Sequence, residues 1–468
     1  MKTKRIFGVK VIAFVMVAVM MCITLAGCGS EGTSDGKTHV NIGSWPAKEG
    51  KELDKMNSKK AEFEAANPDV VIEPDTYTLD MQSFYPKAEA KLLPDVMSVH
   101  FTEVKQLVDG GYVKDLTKAL KENGVYDEFS PLALKSVTFD NKVAGFPSNI
   151  YMLGLAVNMD LFEKAGFVDA DGTPKQPKDW YELAEMAVKI KEKTGKPGFM
   201  LPTMNNCGGW MFSSIAWSFG VDFMEQDKDG NWKATFNTPE AKAALEFIKD
   251  LKWKYDVVPG NNLIDLNEYY KQYAIGNAAM IIAPNSVGNN VAQYETDLAM
   301  VGMVAMPKGP KRHVSLMGGA LTFVPEYATD EQVDAAVRWI KWSNNSKLTD
   351  TVKENIVNSF EISKEKGALI GIETISIWND KSEIEKFRAE KQAEYININP
   401  NHVRLYNESL KDTSIELQAE EPVCCQDLYG ILDNCIQQVF MDKNADCAAI
   451  LEKANTDFQT NFLNNISY

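Results

Sequence analysis

The order of elements predicts an α/β fold built in two parts, and three observations carry this. Short apolar strands alternate with amphipathic helices from residue 39 onward, the pattern of parallel strands joined through helices that cover the sheet. The chain has 468 residues, enough for two or three domains and for a core that buries about three quarters of its surface. A strand at 142–147 closes on Pro147, and the alternation then starts again.

Residues 39–42 alternate into Gly43-Ser44-Trp45-Pro46, a strand ending in a loop. Residues 53–66 carry Met56, Lys60 and Phe63 at helical spacing, and Asn67-Pro68-Asp69 stops the helix. Strands at 70–72 and 94–99 flank a short helix at 84–93, which completes a βαβαβ run. Strands are expected at 153–158, 278–282 and 318–325, and helices at 161–165, Trp180–Thr194, 238–255 and Asp330–Ser343. Thr238, Pro239 and Glu240 supply a cap and a first position for the third of these helices. Residues 380–421 are charged and weakly periodic, read as surface helix with a long loop. Asp169-Ala170-Asp171-Gly172 and Asp227-Lys228-Asp229-Gly230 lack the full calcium ligand set and read as turns.

The N-terminus has Lys2, Lys4, Arg5 and Lys10 with no acid, then an apolar run from 11 to 26. That run is shorter than the roughly 20 residues a spanning helix needs, and it describes a secretory signal. It ends Leu25-Ala26-Gly27-Cys28, which resembles the lipobox of bacterial lipoproteins. The resemblance implies acylation of Cys28 and cleavage just before it. Residues 29–37 offer no apolar side chain to bury and read as a flexible tether. The whole chain carries a net charge of −16; without the four basic residues of the signal it reaches −20. A body that acidic argues against nucleic acid and against electrostatic attachment to anionic lipid.

Catalytic and metal patterns are missing. No nucleophile elbow stands between a strand and a helix of the body, and no P-loop occurs. His39, His100, His313 and His402 have no metal spacing. The late cysteines Cys424, Cys425, Cys435 and Cys447 do not form Cys-x-x-Cys, which leaves disulfides or ordinary small core residues. Chance carboxylate pairs among 65 acids keep an exported glycosidase open as an alternative. No enzyme activity, cofactor or metal is expected.

Several stretches resemble the family 1 extracellular solute-binding proteins, the maltose-binding-like subunits of carbohydrate ABC importers. They are Asn-Pro-Asp-Val-Val-Ile at 67–72, Leu-Pro-Asp-Val at 93–96 and Gly-Tyr-Val-Lys-Asp-Leu at 111–116. Gly-Phe-Pro at 145–147 and the run 153–162 resemble the first crossing, with Val157 and Met159 replacing the usual Tyr and Lys. Residues 274–280 resemble the Gly-Lys-Ala-Ala-Met signature, with Asn277 in place of Lys. Gly318-Gly319 and residues 335–342 resemble the late first-lobe strand and helix.

The resemblance implies the two-lobed type II periplasmic-binding-protein fold, each lobe a central, mostly parallel sheet flanked by helices, with a ligand cleft between the lobes. It divides the chain into a signal (1–27), a tether (28–38), lobe 1 (39–147 and 288–345) and lobe 2 (148–287 and 346–468). Its implied function is a monomeric protein, held by Cys28 at the extracellular face of the cytoplasmic membrane. Such a protein captures a carbohydrate, here an oligosaccharide, by lobe closure and delivers it to ABC permease subunits. A non-sugar solute, or a sensor role, is the alternative. A sugar site needs aromatic faces with amide and carboxylate partners. Family position then selects Ser44 and Trp45, His100 and Phe101, Asn149 and Tyr151, Asn205, Asn206 and Trp210, and Asn285 and Ser286. Trp217, Trp232, Trp253, Trp339 and Trp342 lie on regular patterns and read as packing residues.

Overall fold

The computed structural model describes residues 36–344 and 348–466. The signal, Cys28 and most of the tether lie outside the described residues. Strand β1 (Thr38–Ile42) leads to α1 (Lys51–Ala66), then β2 (Val70–Pro74), α2 (Met81–Glu89), β3 (Met97–His100) and α3 (Phe101–Asp109). β1 and β2 pair in parallel, and Ile42 bridges Val96 in parallel. Val40, Ile42, Val70 and Ile72 face the lobe-1 core with Phe63 of α1, which is the period-2 and period-3.6 pattern of the sequence realised in space.

One strand, β4 (Phe146–Asn158), passes through both lobes. The expected strands at 142–147 and 153–158 are largely this single element, preceded by a small hairpin at 138–143. α4 (Met159–Ala165) follows, then α5 (Trp180–Thr194), α6 (Cys207–Phe219) and α7 (Pro239–Trp253). α5 begins where Asp179 accepts from the amides of Tyr181 and Glu182, and ends at Gly195 with φ 69°. Leu183, Ala187 and Ile190 sink one face of it completely. Later elements include β5 (Met280–Pro284), β6 (Val301–Val304), β7 (Val314–Phe323), α8 (Asp330–Ser343), α9 (Asp350–Glu365), α10 (Glu383–Tyr395), α11 (Pro400–Ser409), β8 (Glu416–Ala419), α12 (Cys425–Met441) and α13 (Cys447–Asn461).

Two strands join the lobes. From Phe146 to Met152, β4 lies antiparallel to β7; from Leu153 onward it lies between β5 and β6, also antiparallel. β7 in turn takes β3 antiparallel and β8 in parallel. Pairing across the described strands is therefore mixed. The buried side chains form two large clusters that divide inside these strands. Phe146, Ile150, Met317 and Leu321 belong to one, and Met152, Leu153, Val314 and Leu316 to the other.

This division moves one expected boundary. The sequence resemblance places residues 288–316 in lobe 1, but Val301–Val304 pair with 155–158 of β4, and Met303, Met306 and Val314 pack in the lobe-2 core. The chain returns to lobe 1 only within β7. Trp378, expected in lobe 2, stacks on Phe129 at 5.4 Å in the lobe-1 core. Residues 380–421 are more regular than expected, holding α10, α11 and β8.

Cys207, Cys424, Cys425, Cys435 and Cys447 are free thiols, four of them buried. Burial pushes the Cys207 thiol up to about 11 and that of Cys435 up to about 12, which leaves both inert as nucleophiles. The 227–230 segment is a hairpin turn in which the Asp227 carboxylate accepts from the amides of Asp229 and Asn231. Residues 169–172 also form a turn. Among the described residues no helix is long and apolar enough to cross a membrane.

Candidate functional site

A cavity of about 240 Å³ opens where both lobes and both crossing strands meet. Lobe 1 contributes His100 and Thr102, at the junction of β3 and α3. His100 holds the N-cap position of α3, yet its side chain makes no capping bond. Its exposed ring is left to the cavity. β4 contributes Tyr151, and β7 contributes Gly319. These strands run close because the partners of Tyr151 and Ile150 are Gly318 and Gly319. A Cβ on Gly318 would stand 2.2 Å from Tyr151 Oη; one on Gly319 would stand 2.4 Å from the Asn149 carbonyl and 2.7 Å from the Phe101 ring.

Lobe 2 contributes Asn205, Asn206, Cys207 and Trp210 from the start of α6. Asn205 and Asn206 take φ of 56° and 68°, a left-handed pair that asparagine tolerates better than most residues. The turn is held by Asp433 of α12. Its carboxylate accepts from the Asn206 amide at 2.8 Å and the Gly209 amide at 2.7 Å. Burial lifts the Asp433 carboxyl to about 6 even against these bonds. Gly208 and Gly209 let two helices approach. A Cβ on Gly209 would lie 2.1 Å from the Tyr429 carbonyl of α12. Trp210 meets Tyr151 edge to face, with centroids 6.5 Å apart.

The C-terminal segment adds Glu420, Gln426 and Tyr429. Glu420 follows β8 and accepts from Tyr429 Oη at 3.0 Å. Burial first, and the nearby Glu103 second, push the Glu420 carboxyl up to about 7 against that bond. Glu103 sits in the first turn of α3; burial raises it too, and its Oε2 is enclosed with no hydrogen-bond partner. Gln426 accepts from Asn206 Nδ2 at 3.2 Å. The arrangement can present two aromatic faces, three amides, a hydroxyl and carboxylate acceptors to a polar solute, and it holds no nucleophile–base pair.

Of the residues selected from sequence, His100, Tyr151, Asn205, Asn206 and Trp210 line this cavity. Trp45 does not. It is 4 % exposed and stacks on Trp339 at 6.0 Å in the lobe-1 core. Its partner lies nearly three hundred residues away in the chain, so no local pattern marks Trp45 as core. Ser44 is exposed beside Thr78, with 3.3 Å between their hydroxyls. Phe101 is buried in the lobe-1 core, behind Gly319. Asn149, Asn285 and Ser286 lie outside the lining; Asn149 is exposed opposite Ala320, and the Ser286 carbonyl accepts from the amides of Asn289 and Asn290. Trp217 and Trp339 are buried; Trp253 and Trp342 are 42 % and 39 % exposed but still pack, Trp342 edge to face on Phe63 and Trp253 donating to the Val439 carbonyl. Glu420, Gln426 and Tyr429 escaped sequence reasoning. The available signal was two acids, Glu420-Glu421, directly before the apolar run that opens α12.

Residues 60–352 match the family of bacterial extracellular solute-binding proteins. A putative binding protein of Brucella abortus is 24 % identical over 278 residues, covering 59 % of this chain and 64 % of the relative. The chain thus spans just under two thirds of that relative's length. The sn-glycerol-3-phosphate-binding periplasmic protein of Escherichia coli K12 is 24 % identical over 312 residues, covering 63 % and 68 %. Among solved structures, the maltose-bound MalE3 of T. maritima superposes with a TM-score of 0.61 at 22 % identity, over 90 % of this chain and 99 % of its own. A putative oligosaccharide periplasmic-binding protein from Synechococcus gives 0.65 at 16 % identity, over 90 % and 98 %. The fold is that of the type II periplasmic binding proteins, and with a family match spanning more than half its length this chain belongs to the bacterial extracellular solute-binding proteins.

Proposed function

We propose that this protein captures a carbohydrate in the cleft between its lobes, by lobe closure, and delivers it to an ABC permease. The observation that carries the reading is the cavity itself. Side chains from both lobes, an aromatic pair and a set of amides surround it, which suits a solute with an apolar C–H face and a rim of hydroxyls. Maltose and oligosaccharide binders among its structural neighbours support the same class. His100, Tyr151, Asn205, Asn206 and Trp210 are its ligand contacts in this reading, with Glu420, Gln426 and Tyr429 added. The protein acts as a monomer, held outside the cytoplasmic membrane by acyl chains on Cys28. Tethering keeps it near its permease and raises their effective concentration.

Thermal-shift and calorimetric titration against a panel of oligosaccharides tests the reading. At least one should raise the melting temperature. Trp210→Ala should weaken that binding by about tenfold or more through loss of a stacking face, with the unliganded melting temperature little changed. No response to any sugar would remove carbohydrate as the solute. Mass spectrometry of membrane-extracted protein should find a diacylated N-terminal cysteine, and an unmodified Cys28 would remove the anchor.

A further inference from the structure

Gly318 has no conformational reason to be glycine. It lies in β7 with a φ outside the left-handed range, where any residue fits and glycine weakens the strand. What it lacks is a side chain, and the missing volume has one occupant. The three atoms nearest to a Cβ placed there all belong to the Tyr151 ring: it would fall on Cζ and Oη and stand 2.7 Å from Cε2. Tyr151 faces Gly318 across the strand pair, so its phenol lies over β7 in the room that a side chain would fill. The neighbouring Gly319 differs: a Cβ there would meet the Asn149 carbonyl, a backbone atom, and the Phe101 ring. Gly319 is fixed by the approach of the strands, and Gly318 by one ring. That ring lines the cavity and meets Trp210 edge to face at an interplanar angle of 79°. The two walls therefore form a corner.

We propose that Gly318 is a positioning residue of the solute site: by offering no side chain, it holds Tyr151 across β7 as the second wall of the Trp210 corner. On the carbohydrate reading, on which this rests for the ligand, the corner takes one pyranose, with its apolar C–H face on one ring and its edge against the other. A methyl at 318 turns the phenol off β7, because the atoms it meets are the free end of a side chain and not backbone. Turned, the ring leaves its edge-to-face meeting with Trp210, and the corner opens to a single face.

The test is a double-mutant cycle on the full mature protein, with Gly318→Ala, Tyr151→Leu and the pair together, read in two ways. The first needs no ligand. In protein carrying fluorotryptophan, the Trp210 fluorine resonance is identified by its loss in Trp210→Phe. Gly318→Ala and Tyr151→Leu should each shift it, and in the Tyr151→Leu background Gly318→Ala should shift it no further. The second readout is calorimetric affinity for maltotetraose and cellotetraose. Each single change should weaken binding of a probe by about fivefold to tenfold, and the pair by no more than Tyr151→Leu alone. A resonance unmoved by Gly318→Ala, or losses that multiply in the pair, overturns the inference. Should Gly318→Ala fail to fold, a folded pair supports the inference and an unfolded pair overturns it. Binding of neither probe counts against the carbohydrate reading, while the resonance still decides the place of Tyr151.

Discussion

Glu421 is 7 % exposed, and its carboxylate accepts from Trp217 Nε1 at 3.0 Å. Burial raises it from 4.5 to about 7, with the Trp217 hydrogen bond offsetting part and Arg312 less. An acid whose folded value lies above its unfolded one binds its proton more tightly in the fold. Its protonation therefore contributes stability that is complete below about pH 4.5 and is lost as pH rises through about 7. Glu421→Gln keeps the acceptor for Trp217 and removes the charge. It should stabilise the protein on the order of 2 kcal/mol at about pH 8 and much less at about pH 5, read from denaturant midpoints. Equal destabilisation at both values would show the carboxylate held ionised in the fold. Glu420 and Glu421 also mark the limit of the sequence at this scale. A buried acid is indistinguishable in the chain from 64 others, because burial depends on what folds over it. Trp45 errs in the opposite direction: family position put it in the ligand site, and a distant Trp339 makes it core.

Elements were legible where local chemistry decides them. Trp180–Thr194 and Asp330–Ser343 fall at the bounds read from sequence, since an N-cap side chain and a 3.6-residue apolar stripe agree in both, with a glycine stop at Gly195 in the first. The 142–158 region was not, because two apolar runs joined by Ser148 and Asn149 look alike whether they form one strand or two. Only the partners, β7 for the first half and β5 with β6 for the second, make it continuous. The α6–α12 crossing is likewise a tertiary fact, read locally as a ligand loop. Its glycines yield a prediction. Alanine at 209 gains about 1 kcal/mol of helix propensity but places a methyl against the Tyr429 backbone, a rigid neighbour. Gly209→Ala should therefore destabilise by about 2–3 kcal/mol net and loosen the Asp433 clasp on Asn206. Unchanged stability in urea titration would mean that the helices separate freely and that the clasp does not fix the asparagines.

At the scale of the molecule, two cores meet across β4 and β7, which carry buried residues of both, with Ile150 and Met317 in one core and Met152 and Leu316 in the other. Two rigid bodies on a pair of strands favour motion about the joint, and a cavity lined from both sides couples that motion to binding. The family resemblance made the lobes legible, but the return point inside β7 follows from pairing that no local pattern encodes. A solute that touches both bodies stabilises the closed arrangement only through contacts it lacks in the open one. Saturation at a hundred times the dissociation constant should raise unfolding free energy by about 2.7 kcal/mol. The same addition should lower the radius of gyration in small-angle scattering. The two readouts separate the possibilities. Stabilisation without compaction would confine the solute to one lobe and end the closure mechanism, whereas both together, reduced in Trp210→Ala, tie the lobe movement to the aromatic wall of lobe 2.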